Sequence, residues 1–173
     1  MNDEVKSPSY TTQVRHFINA HKILTPLVVL GLMTYYDFWG ILAWVYLALH
    51  GTYCLLWMLK EYAFRDRRFE KDIHPIAGFL FVFCALGAYW ASPFLIISNR
   101  LTASNWLIAL SIPMTTLGIF YHYVSDAHKH AVLSIKKGLI TTGLFSRTRN
   151  PNYFGEMLIY AGFAMLAQHW IPL

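Results

Sequence analysis

The chain has 173 residues, of which 56% are hydrophobic, 17% aromatic and only 13% charged. A water-soluble domain carries about 25% charged residues, so this composition excludes an ordinary soluble globule and indicates one small polytopic membrane domain. The net charge of +5 falls mainly between apolar segments, where basic residues set membrane topology, and no nucleic-acid partner is expected.

Residues 1–9 read as disordered. Residues 10–22 complete a polar tail and suit a short interfacial helix, with Val14, Phe17 and Ile18 on one side and Arg15, His16 and Lys22 elsewhere. The first 22 residues hold no continuous apolar run, so no signal peptide is expected. Residues 23–173 read as a single all-α transmembrane domain of about five spans. The first segment, 23–36, is short and interrupted by Pro26; the second, 38–59, follows across a tight turn at Asp37. The third covers 75–97. The fourth covers 105–123, with Pro113 as an expected kink. The fifth covers 151–173. About 20 apolar residues cross the hydrocarbon core, so the last four are long enough.

Charge placement orients these spans. The 60–74 stretch carries Lys60, Arg65, Arg67, Arg68 and Lys71, and the 125–150 stretch carries Lys129, Lys136, Lys137, Arg147 and Arg149. The tail adds Lys6, Arg15 and Lys22, whereas residues 98–104 hold only Arg100. Five spans with the N-terminus inside place all three basic regions on the cytoplasmic side or its organellar equivalent. Cys54 and Cys84 both lie in apolar segments and read as packing residues.

The residues suited to chemistry fall between 122 and 160. Arg147-Thr148-Arg149-Asn150-Pro151-Asn152-Tyr153-Phe154-Gly155-Glu156 runs from a basic loop into an apolar helix. Asn150 suits the N-cap and Pro151 the first helical position. A helix start behind two arginines is ready for an anion. Tyr153, Glu156 and Tyr160 follow at i, i+3 and i+7, on one face. An acid inside such a helix is costly and points to function. If the fourth helix continues beyond the membrane, His122, Asp126 and Lys129 also share a face, with Lys129 placed to hold a phosphate and Asp126 to orient it or bind a ribose hydroxyl. His122, Asp126 and His130 have a spacing open to a metal, but such clusters arise by chance and no metal is expected. Between these groups, Gly138 and Gly143 bracket a short apolar stretch that reads either as a loop resting on the bilayer or as a flexible lid approaching a cofactor. Neither a Rossmann fingerprint nor a P-loop occurs.

The run Gly143-Leu144-Phe145-x3-Arg149-Asn150-Pro151-Asn152-Tyr153-Phe154-Gly155-Glu156, with Asp126-x2-Lys129 upstream, resembles the C-terminal signature of the steroid 5-alpha-reductase-like membrane proteins, including the DUF1295 branch. The same superfamily includes isoprenylcysteine carboxyl methyltransferases and phospholipid N-methyltransferases, which more often lack the glutamate. The resemblance implies that Asp126, Lys129, Gly143, Arg147, Arg149, Asn150, Pro151, Asn152 and Tyr153 surround a soluble cofactor. In the reductase branch this is NADPH, and hydride passes to a C=C bond of a lipid or sterol-like substrate while Tyr153 or Tyr160, paired with Glu156, supplies the proton. In the methyltransferase branch the same pocket holds S-adenosylmethionine. Asn150 stands where many members have histidine. Members usually carry a further returning helix and a polar C-terminal segment that complete the pocket, whereas this chain ends at Leu173. A shortened site, a site completed by another membrane subunit, and a non-catalytic subunit of a larger complex are therefore all open alternatives.

Overall fold

The structure is a computed structural model and describes residues 10–172; the expectations for residues 1–9 and for Leu173 lie outside that range. Five helical stretches build it: α1 (Val14–Tyr35), α2 (Ile41–Ala63), α3 (Pro75–Ser98), α4 (Asn105–Ile135) and α5 (Pro151–Ala167). The first four are long and apolar enough to cross a membrane. An all-α polytopic membrane protein is thus borne out.

The side-chain distribution explains why a bilayer suits this bundle. Large apolar residues such as Leu27, Leu55, Phe81, Leu117 and Met157 point outward, while His21, Lys22, Thr25, His50, Ser111 and His122 are buried. In lipid the outer surface must be apolar and polar groups must find partners inside. Along the bundle the interior changes character. One half is a dry core of Val29, Met33, Leu42, Ile96, Ile159 and Leu166. The other half carries the buried charges.

The two ends of the bundle are built differently. At the dry end, α1 and α3 each stop at a residue with positive φ, Asp37 (44°) and Arg100 (51°). The next amide then reaches back a full turn, from Phe38 to the Met33 carbonyl and from Leu101 to the Ile96 carbonyl. The Arg100 guanidinium donates to the Tyr36 and Asp37 carbonyls, at 2.9 and 3.4 Å, and so joins these two turns. At the other end a two-stranded antiparallel pair, β1 (Thr12–Gln13) with β2 (Asp72–Ile73), ties the start of α1 to the α2–α3 loop. Arg15 faces Glu70 at 3.9 Å, and Lys129 reaches Asp66 at 2.9 Å. The three basic regions therefore gather at one end. A tag at Met1 and one inserted near Lys136 are expected on the same side of the membrane; opposite protease accessibility would overturn this arrangement.

Four expectations change. The tail helix and the first span form one helix, because Ile18, His21, Lys22 and Thr25 face the bundle interior and not the headgroups. Pro26 lies within that helix and does not end it. Lys22 and Lys60 are 2% and 3% exposed inside α1 and α2, so they are interior charges and not loop markers of topology. The fifth segment is helical only to Ala167, 17 residues, because Gln168 takes a left-handed conformation (φ 51°). Even so, α5 traverses the bundle: the Gln168 side-chain Nε2 donates to the Thr102 carbonyl in the α3–α4 turn, at the dry end.

Candidate functional site

The site is set by how closely α4 and α5 pack. A Cβ on Gly155 would lie 2.5 Å from the His122 backbone nitrogen and 2.6 Å from the Gly118 carbonyl oxygen. Two turns further along α5, the Ser111 hydroxyl donates to the Gly162 carbonyl at 2.8 Å. Small residues facing each other let two helix backbones meet without lipid between them. This contact places His122 beside the start of α5. Its Nδ1 lies 3.3 Å from the Asn152 carbonyl and 3.8 Å from Glu156 Oε1. The condition on which His122, Asp126 and Lys129 share a face is met: the helix runs on past residue 123 to Ile135, and it buries His122 and Asp126.

The helix start itself departs from expectation. Asn150 occupies the cap position with φ −133° and ψ 69°, but its side chain makes no capping hydrogen bond. Pro151 takes the first helical position, and both Pro151 and Asn152 are buried.

Tyr153, Glu156 and Tyr160 do share a face. With Tyr89 and Met157 they line a cavity of about 530 Å³ between α3 and α5. Helix α3 is irregular here, with a π-helical turn over Phe79–Phe83 and a 3-10 turn over Ala88–Trp90. These changes of pitch accompany the flat stacking of Tyr89 on Tyr160, with ring centroids 4.1 Å apart. A second cavity of about 260 Å³ opens on the other side of Glu156, lined by Trp57, Arg68, His122, Asp126 and Asn152. Tyr153 and Glu156 belong to both walls. Glu156, 34% exposed in its side chain, is an acid inside an apolar helix that stands where an aromatic cavity meets a polar one.

Residues distant in sequence complete the site. Asp66, in the α2–α3 loop, accepts from the Arg68 backbone and guanidinium (3.0 and 2.6–2.9 Å) and from Lys129 (2.9 Å). Arg68 also donates to the Tyr153 hydroxyl at 3.0 Å. Partial burial alone would raise the Asp66 carboxyl, but the hydrogen bonds from Arg68 and Lys129 outweigh it and hold the group well below the usual carboxylate range. A depressed carboxyl stabilises the fold fully above its unfolded value, about pH 4, and loses that contribution as pH falls through the lowered value. The loop latch is therefore expected to survive down to about pH 4. Hydrogen exchange over residues 64–74 at pH 7 should be faster in Asp66→Asn than in the wild type; equal rates would show that the carboxylate does not hold the loop.

Deeper in, the Lys22 ammonium lies 4.2 Å from the Tyr53 ring centroid, 5.4 Å from Trp57 and 6.0 Å from Tyr160. The Tyr53 and Tyr160 hydroxyls are 3.5 Å apart. Tyr123 donates to the Tyr53 carbonyl at 3.0 Å. Sequence reading missed Lys22, Tyr53, Trp57, Lys60, Asp66 and Arg68 as parts of this region. The available signal was the acid–base pair Lys60-Glu61 at the end of an apolar helix, since a buried charge there needs a partner.

Other expected residues sit apart. Arg147 and Arg149 are exposed, and among the described residues their side chains make no hydrogen bond or ion pair. They border none of the cavities described above. Gly143 has a positive φ (56°), and a Cβ there would meet the His128 ring at 2.8 Å. His128 Nε2 also bonds the Thr142 hydroxyl at 3.0 Å. The close approach made by this glycine is therefore to His128 of α4. Among the described residues no group of three His, Cys, Asp or Glu side chains is placed to hold a metal ion.

Comparison with known proteins agrees with this architecture. Over 50 residues, 29% of the chain, the sequence is 34% identical to an uncharacterized protein of Schizosaccharomyces pombe (strain 972 / ATCC 24843). The match covers 16% of that protein, so the chain accounts for a small part of its length. No solved structure matches the chain. A family model described as "Protein of unknown function (DUF1295)" matches residues 13–172. With that match running from the first strand through the last helix, the chain belongs to the DUF1295 family and is an integral membrane member of it.

Proposed function

We infer that this protein is a membrane-embedded oxidoreductase that uses NADPH to reduce a C=C bond of a lipid or sterol-like substrate. The observation that carries the reading is the position of Glu156 and Tyr153 between an aromatic cavity and a polar one. Such a place lets an apolar substrate and a soluble cofactor meet across a proton-bearing group. The resemblance of the 143–156 run to the steroid 5-alpha-reductase-like signature supports the same reading.

The polar cavity has unused hydrogen-bonding capacity. His122 Nε2 and Asp126 Oδ1 are buried without partners, and both side chains line it. Buried polar atoms left unpaired are costly, and the hydroxyls and amide of a dinucleotide suit them. Asp126, Asn152 and Tyr153, which line this cavity, are the residues that would hold the cofactor; Lys129 is engaged by Asp66, and Gly143, Arg147, Arg149 and Asn150 lie outside the cavity wall. When bound, the nicotinamide supplies the hydride for the C=C bond.

The remaining work belongs to the chain. Arg68 donates to the Tyr153 oxygen, which leaves the phenol O–H free to give its proton and stabilises the phenolate that remains. Glu156 lines the same walls as Tyr153 and returns a proton to it. Tyr89, Met157 and Tyr160 give the substrate side its apolar wall. A methyl transfer needs no such acid, so Glu156 favours reduction over S-adenosylmethionine chemistry.

The test is turnover of the purified protein in lipid nanodiscs with NADPH deuterated at C4 and a panel of unsaturated sterols and enone lipids. One deuteron and one solvent proton should enter the same product. Oxidation of NADPH without deuterium in any lipid, or none at all across the panel, would count against the reductase.

A further inference from the structure

A second group of cationic side chains lies beside the Glu156 cleft, not in it. Where the C-terminal part of α4 meets the end of α2 and its following loop, a cavity of about 370 Å³ is lined by Lys60, Arg65, Arg67, Lys129, His130 and Lys137. The acids on its wall are Asp66 and Asp126. Asp66 is taken by Arg68 and Lys129, so Lys129, to which the sequence assigns a phosphate, already has an anion. Asp126 stands 3.5 Å from Lys60, which lies equally far from Glu61.

Membrane topology accounts for cations in a loop but not for Lys60. That residue is 3% exposed, lines the cavity, and its ammonium has no hydrogen-bond partner. Glu61 and Asp126 balance its charge at 3.5 Å but without hydrogen-bond geometry, and an oxyanion in the cavity would supply the missing acceptor. Arg65 uses only its Nε, donating to the Glu61 carbonyl at 3.3 Å. Arg67 and Lys137 make no side-chain hydrogen bond or ion pair among the described residues. Phe64 and Leu133 give the cavity an apolar wall. The space exceeds what a bare ion needs and falls within the range of small-ligand sites.

We propose that this cavity binds a phosphate-bearing anion, with Lys60 at its base and Arg65, Arg67 and Lys137 as the remaining cationic contacts. Two sources share that chemistry at the basic end of the bundle: the phosphates of a soluble nucleotide and the headgroup of an acidic phospholipid. The nucleotide source rests on the reductase reading. The anion site itself does not, because the cavity contains neither Glu156 nor Tyr153.

The experiment is calorimetric titration of inorganic pyrophosphate into the detergent-purified full chain at low salt. Wild type is compared with the double variant Arg67→Ala/Lys137→Ala and with Lys60→Met. The double variant changes surface side chains, so it should keep its melting temperature and bind about tenfold or more weakly. Displacement of pyrophosphate by adenosine 2′,5′-bisphosphate supports the site with a nucleotide source. Displacement by short-chain phosphatidylglycerol supports it with a lipid source. Absence of pyrophosphate binding in the wild type, or equal affinity in the double variant, overturns the proposal. Glu156→Gln should bind pyrophosphate like the wild type, so failure of the reductase reading and failure of the anion site remain separable.

Discussion

Glu156→Gln is expected to abolish reduction while leaving the folded protein intact. The substitution keeps size and hydrogen-bonding capacity beside His122, whose Nδ1 lies 3.8 Å from the carboxyl oxygen. It removes the ability to hold and return a proton. General acid–base groups contribute about 10²–10⁴-fold to rate, and a loss of that size in kcat is the expected result. The melting temperature should move little, because the side chain is one-third exposed to a cavity and lies outside the dry core. Comparing turnover and thermal melts of the two proteins checks both halves. Wild-type turnover in the variant would remove Glu156 from the chemistry. Parallel loss of turnover and melting temperature would make it a structural residue.

Gly155→Ala is expected to act oppositely, through stability first. The added methyl carbon meets two backbone atoms, the His122 nitrogen at 2.5 Å and the Gly118 oxygen at 2.6 Å. Backbone cannot yield as a flexible side chain can, so α4 and α5 must separate. Overpacking of this kind costs about 1–3 kcal/mol. It also shifts His122 relative to Asn152 and Glu156, so ligand binding should weaken together with the melting temperature. A thermal melt in detergent reads the first effect. An unchanged melt would show that the two helices are not in such close contact.

The Glu156 position was open to sequence reading because it follows from helical period, whereas the close packing of Gly155 on α4 was not. Tyr153, Glu156 and Tyr160 share a face whatever surrounds them, and His122, Asp126 and Lys129 do so once α4 is long enough. The composition likewise reveals the bilayer, since few charges remain for solvent. The missed residues have partners far away along the chain. Asp66 meets Lys129 across 63 positions and Arg68 meets Tyr153 across 85. No local pattern encodes those pairs. Lys22 and Lys60 carry the opposite lesson: the rule that basic residues mark loops misread two lysines that turn inward, one to an aromatic cage and one to Glu61 and Asp126. Asn150 has the right composition for a cap, but its backbone conformation does not bring its side chain to the free amides. The irregular pitch of α3, which accompanies the placement of Tyr89 over Tyr160, has no signature in hydrophobic pattern alone.

The reductase reading requires that this bundle hold a nicotinamide cofactor beside Glu156. Equilibrium binding of NADPH and of S-adenosylmethionine to the detergent-purified chain, with Asp126→Asn alongside because Asp126 lines the polar cavity with an unpartnered oxygen, is the first experiment. The expected result is saturable NADPH binding that weakens by about 1.5–3 kcal/mol in the variant, as for a lost charge-assisted hydrogen bond, with no binding of S-adenosylmethionine. Binding of S-adenosylmethionine in place of NADPH would exclude the reductase and make the polar cavity a methyl donor site.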